Sequence, residues 1–455
     1  MIYERIDLAL VTQNAELIAR VEVITKEFAY SYKYYQTVDE FLESKHEHAV
    51  LIGFIKDDKN PNLAAELAQA AKQLDSSSFV ICGIAKNVTK EVVSFAKRSG
   101  AEVVLLEDEL FTTSKLEFAV NQTLRASYLP VKASEFNAGV PIPFDVYHLM
   151  PQRKKFIQFI FQGDILDEAR ITKMMEVGEV YFHRSQARAY KKYVEDLKDS
   201  SAAGLARRCR AQFMALYSEY SYLALVLTDQ TERASFGEGE KLLVTCRELC
   251  QDLVATLGKF DKVWDVINNS AIGEFGSVER APAVASYAAL FCIQTGFEKI
   301  DDIMLVALLV DLGIIFLDPA ITRKIRENNL DQMSPEETDL YHRYPHLSMN
   351  IVLDRKIGLS EKMRNALMAV HERANGKGFP KGILGHKLPL ESQMIQFCKD
   401  FDQRTVLRMG KARVDQKEIR DQLVEEDFGK ETRFTQAFLE SLKRGFGAGP
   451  AQPLE

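Results

Sequence analysis

Chemistry in this chain is concentrated in a few short stretches. Residues 369–391, AVHERANGKGFPKGILGHKLPLE, place a His371-Glu372 pair at the end of a helical pattern and follow it with Gly376, Gly378 and Pro380 within five residues. Glycine at that density, with a proline to fix φ, specifies one particular loop rather than a generic turn. An imidazole beside a carboxylate is raw material for acid–base work or metal ligation, and equally for a hydrogen-bonded helix end. His342 and His346 stand four residues apart and could share a helix face as half a metal site, but no further ligand follows at the required spacing, which favours two exposed or capping histidines. Asp311 lies inside the apolar run MLVALLVDLGIIFLD, where a carboxylate needs a partner. The six cysteines, at positions 82, 209, 246, 250, 292 and 398, show no C-x-x-C spacing and read as reduced, packed thiols, Cys246 and Cys250 on one helix face. No Gly-rich phosphate loop, hydrolase nucleophile motif or basic-aromatic stripe is present.

The loop stretch closely resembles the signature of the HD-GYP family of cyclic-di-GMP phosphodiesterases, His-His-Glu followed after two residues by Asp-Gly-x-Gly-Tyr-Pro. The resemblance extends over roughly residues 279–442: MLVALLVDLGIIFLD is similar to the family's His-Asp helix, YHRYPHLSMNIVL to its next helix, and ESQMIQFCKDFDQRT to the helix after the signature loop. That family cleaves phosphodiesters with two or three metal ions, which requires imidazoles and carboxylates aimed at one cavity. Carried over by position, the resemblance puts Arg280, Val310, Tyr344 and Val370 where the family has histidines, and Lys399 where it has an aspartate. Ile314 replaces the family's lysine, while Asp311 and His371 remain as vestiges. In the loop, Asn375 stands for the aspartate and Phe379 for the tyrosine, with Gly376, Lys377, Gly378 and Pro380 completing it. Valine has no lone pair, neutral tyrosine is a poor ligand and an ammonium repels a cation. The resemblance therefore implies the family's fold with no bound metal, no cofactor and no hydrolysis, the loop 375–380 serving as an interaction surface. Lys399, with Arg280, is expected to balance Asp311.

What positions these residues is read from periodicity. Strand patterns at 6–11, 49–54, 79–84 and 102–106 alternate with helical patterns at 15–28, 62–74 and 90–99, which argues a doubly wound α/β domain over residues 1–130. This order and the SGAEVVLLEDEL ending resemble the receiver domain of two-component response regulators. The positions matching that family's acidic pair, phosphate acceptor, hydroxyl and lysine hold Thr12 and Gln13, Gly53, Gly83 and Glu107, so a pseudo-receiver for docking is implied, with an unrelated doubly wound domain as the alternative. Residues 137–197 read as a small α+β module, with strands near 144–148, 156–161 and 179–182, a helix over 166–176 and a linker at 137–143. From 200 to 445 the pattern is helical, with helices over 202–228 and 241–257, a turn at 235–240, a solvated helix pair over 415–431 and Trp264 in the core. A tail, 446–455, completes this multidomain chain.

With 58 basic and 65 acidic residues the net charge is −7, so no DNA or RNA partner is expected. The charged opening MIYERIDLAL argues against an export signal and no run is long enough for a membrane span, so a cytoplasmic location is expected. The function expected is a non-enzymatic signalling or scaffold protein, possible as a homodimer, binding signalling proteins such as diguanylate cyclases. A non-hydrolysing cyclic-di-GMP sensor using Lys377, Lys381 and Lys399 is the alternative. An active phosphodiesterase would need ligands from elsewhere, such as His346, Asp400 and Asp402.

Overall fold

The computed structural model describes residues 6–74, 78–124, 127–150, 155–177, 179–231, 236–259, 278–406 and 414–447. Its contacts define two compact units. The first comprises residues 1–126, 224–239 and 314–341, and the second residues 127–223, 240–313 and 342–455.

The first unit is built on five parallel strands, β1 (Ile6–Val11), β2 (Tyr32–Tyr35), β3 (His48–Ile55), β4 (Phe79–Ile84) and β5 (Val103–Leu106), in the order β2-β1-β3-β4-β5. This 2-1-3-4-5 order defines a doubly wound sheet, and it places any ligand outside the carboxyl ends of the strands. Strands covered on both faces read as continuous apolar runs, as β1, β3 and β4 do. One face packs against α2 (Val38–Ser44), α3 (Leu63–Leu74) and α4 (Lys90–Arg98), the other against α1 (Ala15–Phe28), α5 (Glu107–Thr112) and α6 (Lys115–Leu124). Helix α1 starts where the Asn14 side chain accepts the Leu17 N–H at 2.9 Å and stops at Ala29 in the left-handed region. Strand β2 escapes the sequence reading because it lies at the sheet edge with Lys33 and Tyr34 exposed, so no apolar run marks it.

Residues 314–341 of the helical region are fastened into this same unit. The Ser114 N–H donates to the carbonyls of Leu317 and Ile315, and Arg326 pairs with both Glu27 and Glu117. Lys115 is buried against Glu109 and donates to the Thr228 carbonyl at 2.6 Å.

The second unit begins with an antiparallel sheet of β6 (Tyr128–Lys132), β7 (Val146–Met150), β8 (Lys155–Ile160) and β9 (Glu179–His183), ordered β6-β9-β7-β8. A helix, α7 (Glu168–Val177), joins β8 to β9, and α8 (Ala187–Asp196) brings Tyr190 and Tyr193 against the buried Phe144. The expected linker at 137–143 is instead packed into this module. Ile142 is fully buried, its N–H bonds to Asp164, and Pro141 bridges to Ile165.

The remaining helices are α9 (Ala202–Thr228), α10 (Phe236–Leu257), α11 (Ala281–Thr295), α12 (Ile300–Leu309), α13 (Pro319–Glu327), α14 (Pro335–Asp354), α15 (Glu361–Met368), α16 (Leu390–Thr405), α17 (Gln416–Asp427) and α18 (Gln436–Gly447). Helix α9 has the bounds its periodicity predicts. Helix α10 begins at Phe236, so residues 236–240 are helical rather than the expected turn. Residues 415–431 hold one helix, Gln416–Asp427 capped by Asp415, followed by a turn, and not a pair. Helix α18 runs through Gly447, past the expected start of the tail, because the Phe446 ring packs on Phe291 and Phe397. Trp264 lies outside the described residues. All six cysteines are buried free thiols, and burial pushes Cys82 and Cys209 up to about 12. No helix among the described residues is long and apolar enough to cross a membrane.

Candidate functional site

Four side chains meet at one point of the second unit. Asp311 follows the C-terminus of α12, Tyr344 lies on α14, His371 in the turn after α15, and Lys399 on α16. The approach of α14 to the turn after Asp311 depends on Gly313, where a Cβ would overlap the Tyr344 carbonyl. Ser348 locks that crossing by accepting the Gly313 N–H at 2.8 Å and donating to the Val310 carbonyl at 2.7 Å.

Lys399 Nζ stands 2.5 Å from Asp311 Oδ1, and the Tyr344 hydroxyl donates to the same oxygen at 2.9 Å. Since that donation uses the phenol's one hydrogen, its oxygen accepts from Nε2–H of His371, which assigns the imidazole tautomer. Lys399 also lies 3.3 Å from both the phenol oxygen and His371 Nε2. Asp311 and Tyr344 are buried, and the Lys399 side chain is 15% exposed. Burial, reinforced by the neighbouring Lys399 charge, holds the His371 imidazole well below its usual range. One ammonium and one carboxylate, bridged by a phenol and a neutral imidazole, leave the cluster without net charge.

The other expected positions are arranged differently. Arg280, at the start of α11, pairs with Asp402 and not with Asp311; Nε and Oδ2 are 3.1 Å apart, at angles outside hydrogen-bond geometry. Joint balancing of Asp311 by Lys399 and Arg280 is thereby corrected: each cation has its own aspartate. Burial raises the Asp402 carboxyl above the usual carboxylate range, with Arg280 opposing the rise. Asp400 is likewise raised by burial, opposed by its partner Arg433. Val310, Ile314 and Val370 are buried hydrocarbon, and His346 is exposed on α14. His342 is half-buried and stacks on Phe379, with centroids 4.2 Å apart.

The loop after His371 has a fixed backbone. Glu372 is buried and accepts the Lys381 N–H at 2.6 Å and the Ile383 N–H at 2.8 Å, so it serves as a loop organiser. Sequence reasoning missed this role, although an acid directly before a glycine-rich loop is the composition that signals it. Gly376 has φ +72°, and a Cβ on Gly378 would overlap the backbone of Glu372 and Arg373. Asn375 accepts the Lys377 N–H at 3.0 Å, and the Phe379–Pro380 bond is cis. The Phe379 ring lies parallel to His371 at 4.7 Å, so it stacks on both His342 and His371 beside the four-residue cluster.

These donors do not fit a divalent metal. Three close carboxylates or imidazoles are the usual minimum, and no such group occurs among the described residues. Within the N-terminal sheet, the space beside Gly53 and Gly83 is apolar. A Cβ on Gly53 would overlap Leu67 Cδ1, and one on Gly83 would come within 2.9 Å of Phe54 and 3.1 Å of Leu110. Thr12 is buried and Gln13 and Glu107 are at least partly exposed, with Glu107 accepting the Lys86 N–H at 2.9 Å.

Among known families, residues 265–427 match the model of the HD domain. The match lies within the helical C-terminal region. Among solved structures the chain is similar to Bd1817, a HDG"Y"P protein from Bdellovibrio bacteriovorus, at 17% identity and a TM-score of 0.44, covering 70% of this chain and 100% of that one. No curated protein sequence matches the chain.

Proposed function

We propose that this protein is a catalytically inactive HD-GYP-like signalling protein that works by binding partner proteins in a cyclic-di-GMP-type bacterial circuit. One observation carries the reading: Asp311, a metal ligand by family resemblance, is engaged by the Lys399 ammonium at 2.5 Å. A cation bound covalently to the chain occupies the charge role of a metal and cannot carry a hydroxide to a phosphorus atom. The N-terminal unit is read as a receiver-like domain without phosphoacceptor chemistry. The 2-1-3-4-5 order supports that reading, as does the hydrocarbon against Gly53 and Gly83. The intact loop 375–380 is taken as a docking element, with diguanylate cyclases as partner candidates and the cytoplasm as the location.

The deciding experiment is metal analysis of the purified chain after incubation with ferrous or manganous ion, combined with a cyclic-di-GMP hydrolysis assay. The expected result is substoichiometric metal and no turnover. Stoichiometric metal with hydrolysis would restore an ordinary catalyst. Calorimetric titration with cyclic di-GMP under the same conditions distinguishes a scaffold, which gives no heat, from a sensor.

A further inference from the structure

The loop after the cluster has a charge pattern that neither catalysis nor folding requires. Between residues 373 and 387 stand Arg373, Lys377, Lys381 and Lys387 with His386, and no acid. All four strong cations are exposed, and none pairs with a carboxylate among the described residues. The nearest loop acid, Glu372, is buried and committed to two backbone amides. Leu384, 55% exposed, closes against Gly376, whose Cβ position lies 3.0 Å from Leu384 Cδ2. Backbone bonds hold the loop: the Ala374 N–H donates to the Arg433 carbonyl, in the segment before α18, at 3.0 Å, and the Gly385 N–H closes the loop on the Ala374 carbonyl at 3.0 Å. The result is a fixed loop that carries four exposed cations and an exposed leucine, on a chain whose net charge is −7.

We infer that this face docks an acidic protein segment carrying an apolar side chain, the carboxylates meeting the cations and the apolar group covering Leu384. The inference rests on the non-catalytic reading above and names the chemistry of the partner. Opposite charge across an interface steers encounter and sets register, and a preorganised surface loses little entropy on binding. Nucleic acid is disfavoured because stacking readout needs an available aromatic ring, and the Phe379 ring is already stacked on His342 and His371. An anionic bilayer is disfavoured by the negative charge of the chain as a whole.

The test uses the full chain and a short fluorescent peptide of glutamates around two leucines, with a glutamine-for-glutamate peptide as its control. Anisotropy should show the acidic peptide bound at least about tenfold more tightly, with affinity falling as salt rises. Substituting Lys377→Glu, Lys381→Glu and Lys387→Glu together should abolish that preference and leave the melting temperature unchanged, since all three side chains are exposed. Leu384→Ser should weaken binding and preserve the salt dependence. Equal affinity for the two peptides, binding by the triple variant at the parent level, or tighter binding to phosphatidylserine-containing vesicles than to the peptide would each overturn the inference. Metal-dependent hydrolysis would remove the non-catalytic reading, while a null peptide result without hydrolysis would remove this inference alone.

Discussion

Beside Gly53 and Gly83 in the N-terminal sheet, space is closed by hydrocarbon, with Leu67 against Gly53 and Leu110 and Phe54 against Gly83. In the helical region the corresponding closure is polar, Lys399 on Asp311 with Tyr344 and His371 hydrogen-bonded around them. The difference follows from what remains at each place. Where glycine stands in a strand, no charge demands compensation and packing alone suffices. Where a buried carboxylate is kept, a counter-charge must be supplied, because an isolated buried ion is costly.

That contrast is broken most directly at the ion pair. Lys399→Ala leaves Asp311 buried with a phenol as its remaining close donor and should destabilise the protein by about 3 to 4 kcal/mol in chemical denaturation. Adding Asp311→Ala should restore more than half of the loss, and a double variant no more stable than the single one would show that the two charges are not coupled. A smaller effect is expected at the apolar closure. Gly53→Asp should cost about 2 to 3 kcal/mol through overpacking against Leu67, and Mg²⁺ should not raise its melting temperature, since Thr12 and Gln13 offer no second carboxylate. Stabilisation by Mg²⁺ would mean that the site can open.

The finest probe is pH. His371 is held neutral in the fold with its pKa well below 6.5, so below about pH 6.5 the unfolded chain takes up a proton that the folded chain refuses. Stability from this group is complete above that pH and declines as pH falls toward the lowered folded value, by less than about 1.4 kcal/mol per pH unit. Asp400 and Asp402, with raised pKa values, contribute with the opposite sign: the folded chain takes up their protons first, so acid favours it. Comparison of the parent with His371→Gln isolates the first effect, and the gap in stability should shift in favour of the variant as pH is lowered from 7 to 5.

Much of this was legible in the sequence where periodicity was long or motif spacing rigid. Helix α9 and the positions of Asp311 and Lys399 belong to that class. The strands β2 and β6 were not legible, because neither shows an apolar run: β2 is YKYY with its centre exposed, and β6 is interrupted by Pro130, which an edge strand tolerates. The end of α18 was misjudged because Gly445 and Gly447 suggest a tail, whereas the half-buried Phe446 ring packs on Phe291 and Phe397. In the site, Arg280 was assigned to the wrong acid, since its partner Asp402 lies outside the motif pattern. Likewise the stacking of Phe379 on two histidines depends on α14 and the loop meeting in space, a contact that spacing along the chain does not encode.

The six buried thiols carry a practical consequence. A thiolate is the form that reacts with electrophiles, and these groups are sealed from solvent, with Cys82 and Cys209 pushed up to about 12. In the native state the molecule is therefore silent toward alkylating reagents, and each modification counts an opening of the fold. Cys82 and Cys398 belong to different compact units, so peptide-resolved labelling gives each unit its own clock without an introduced probe.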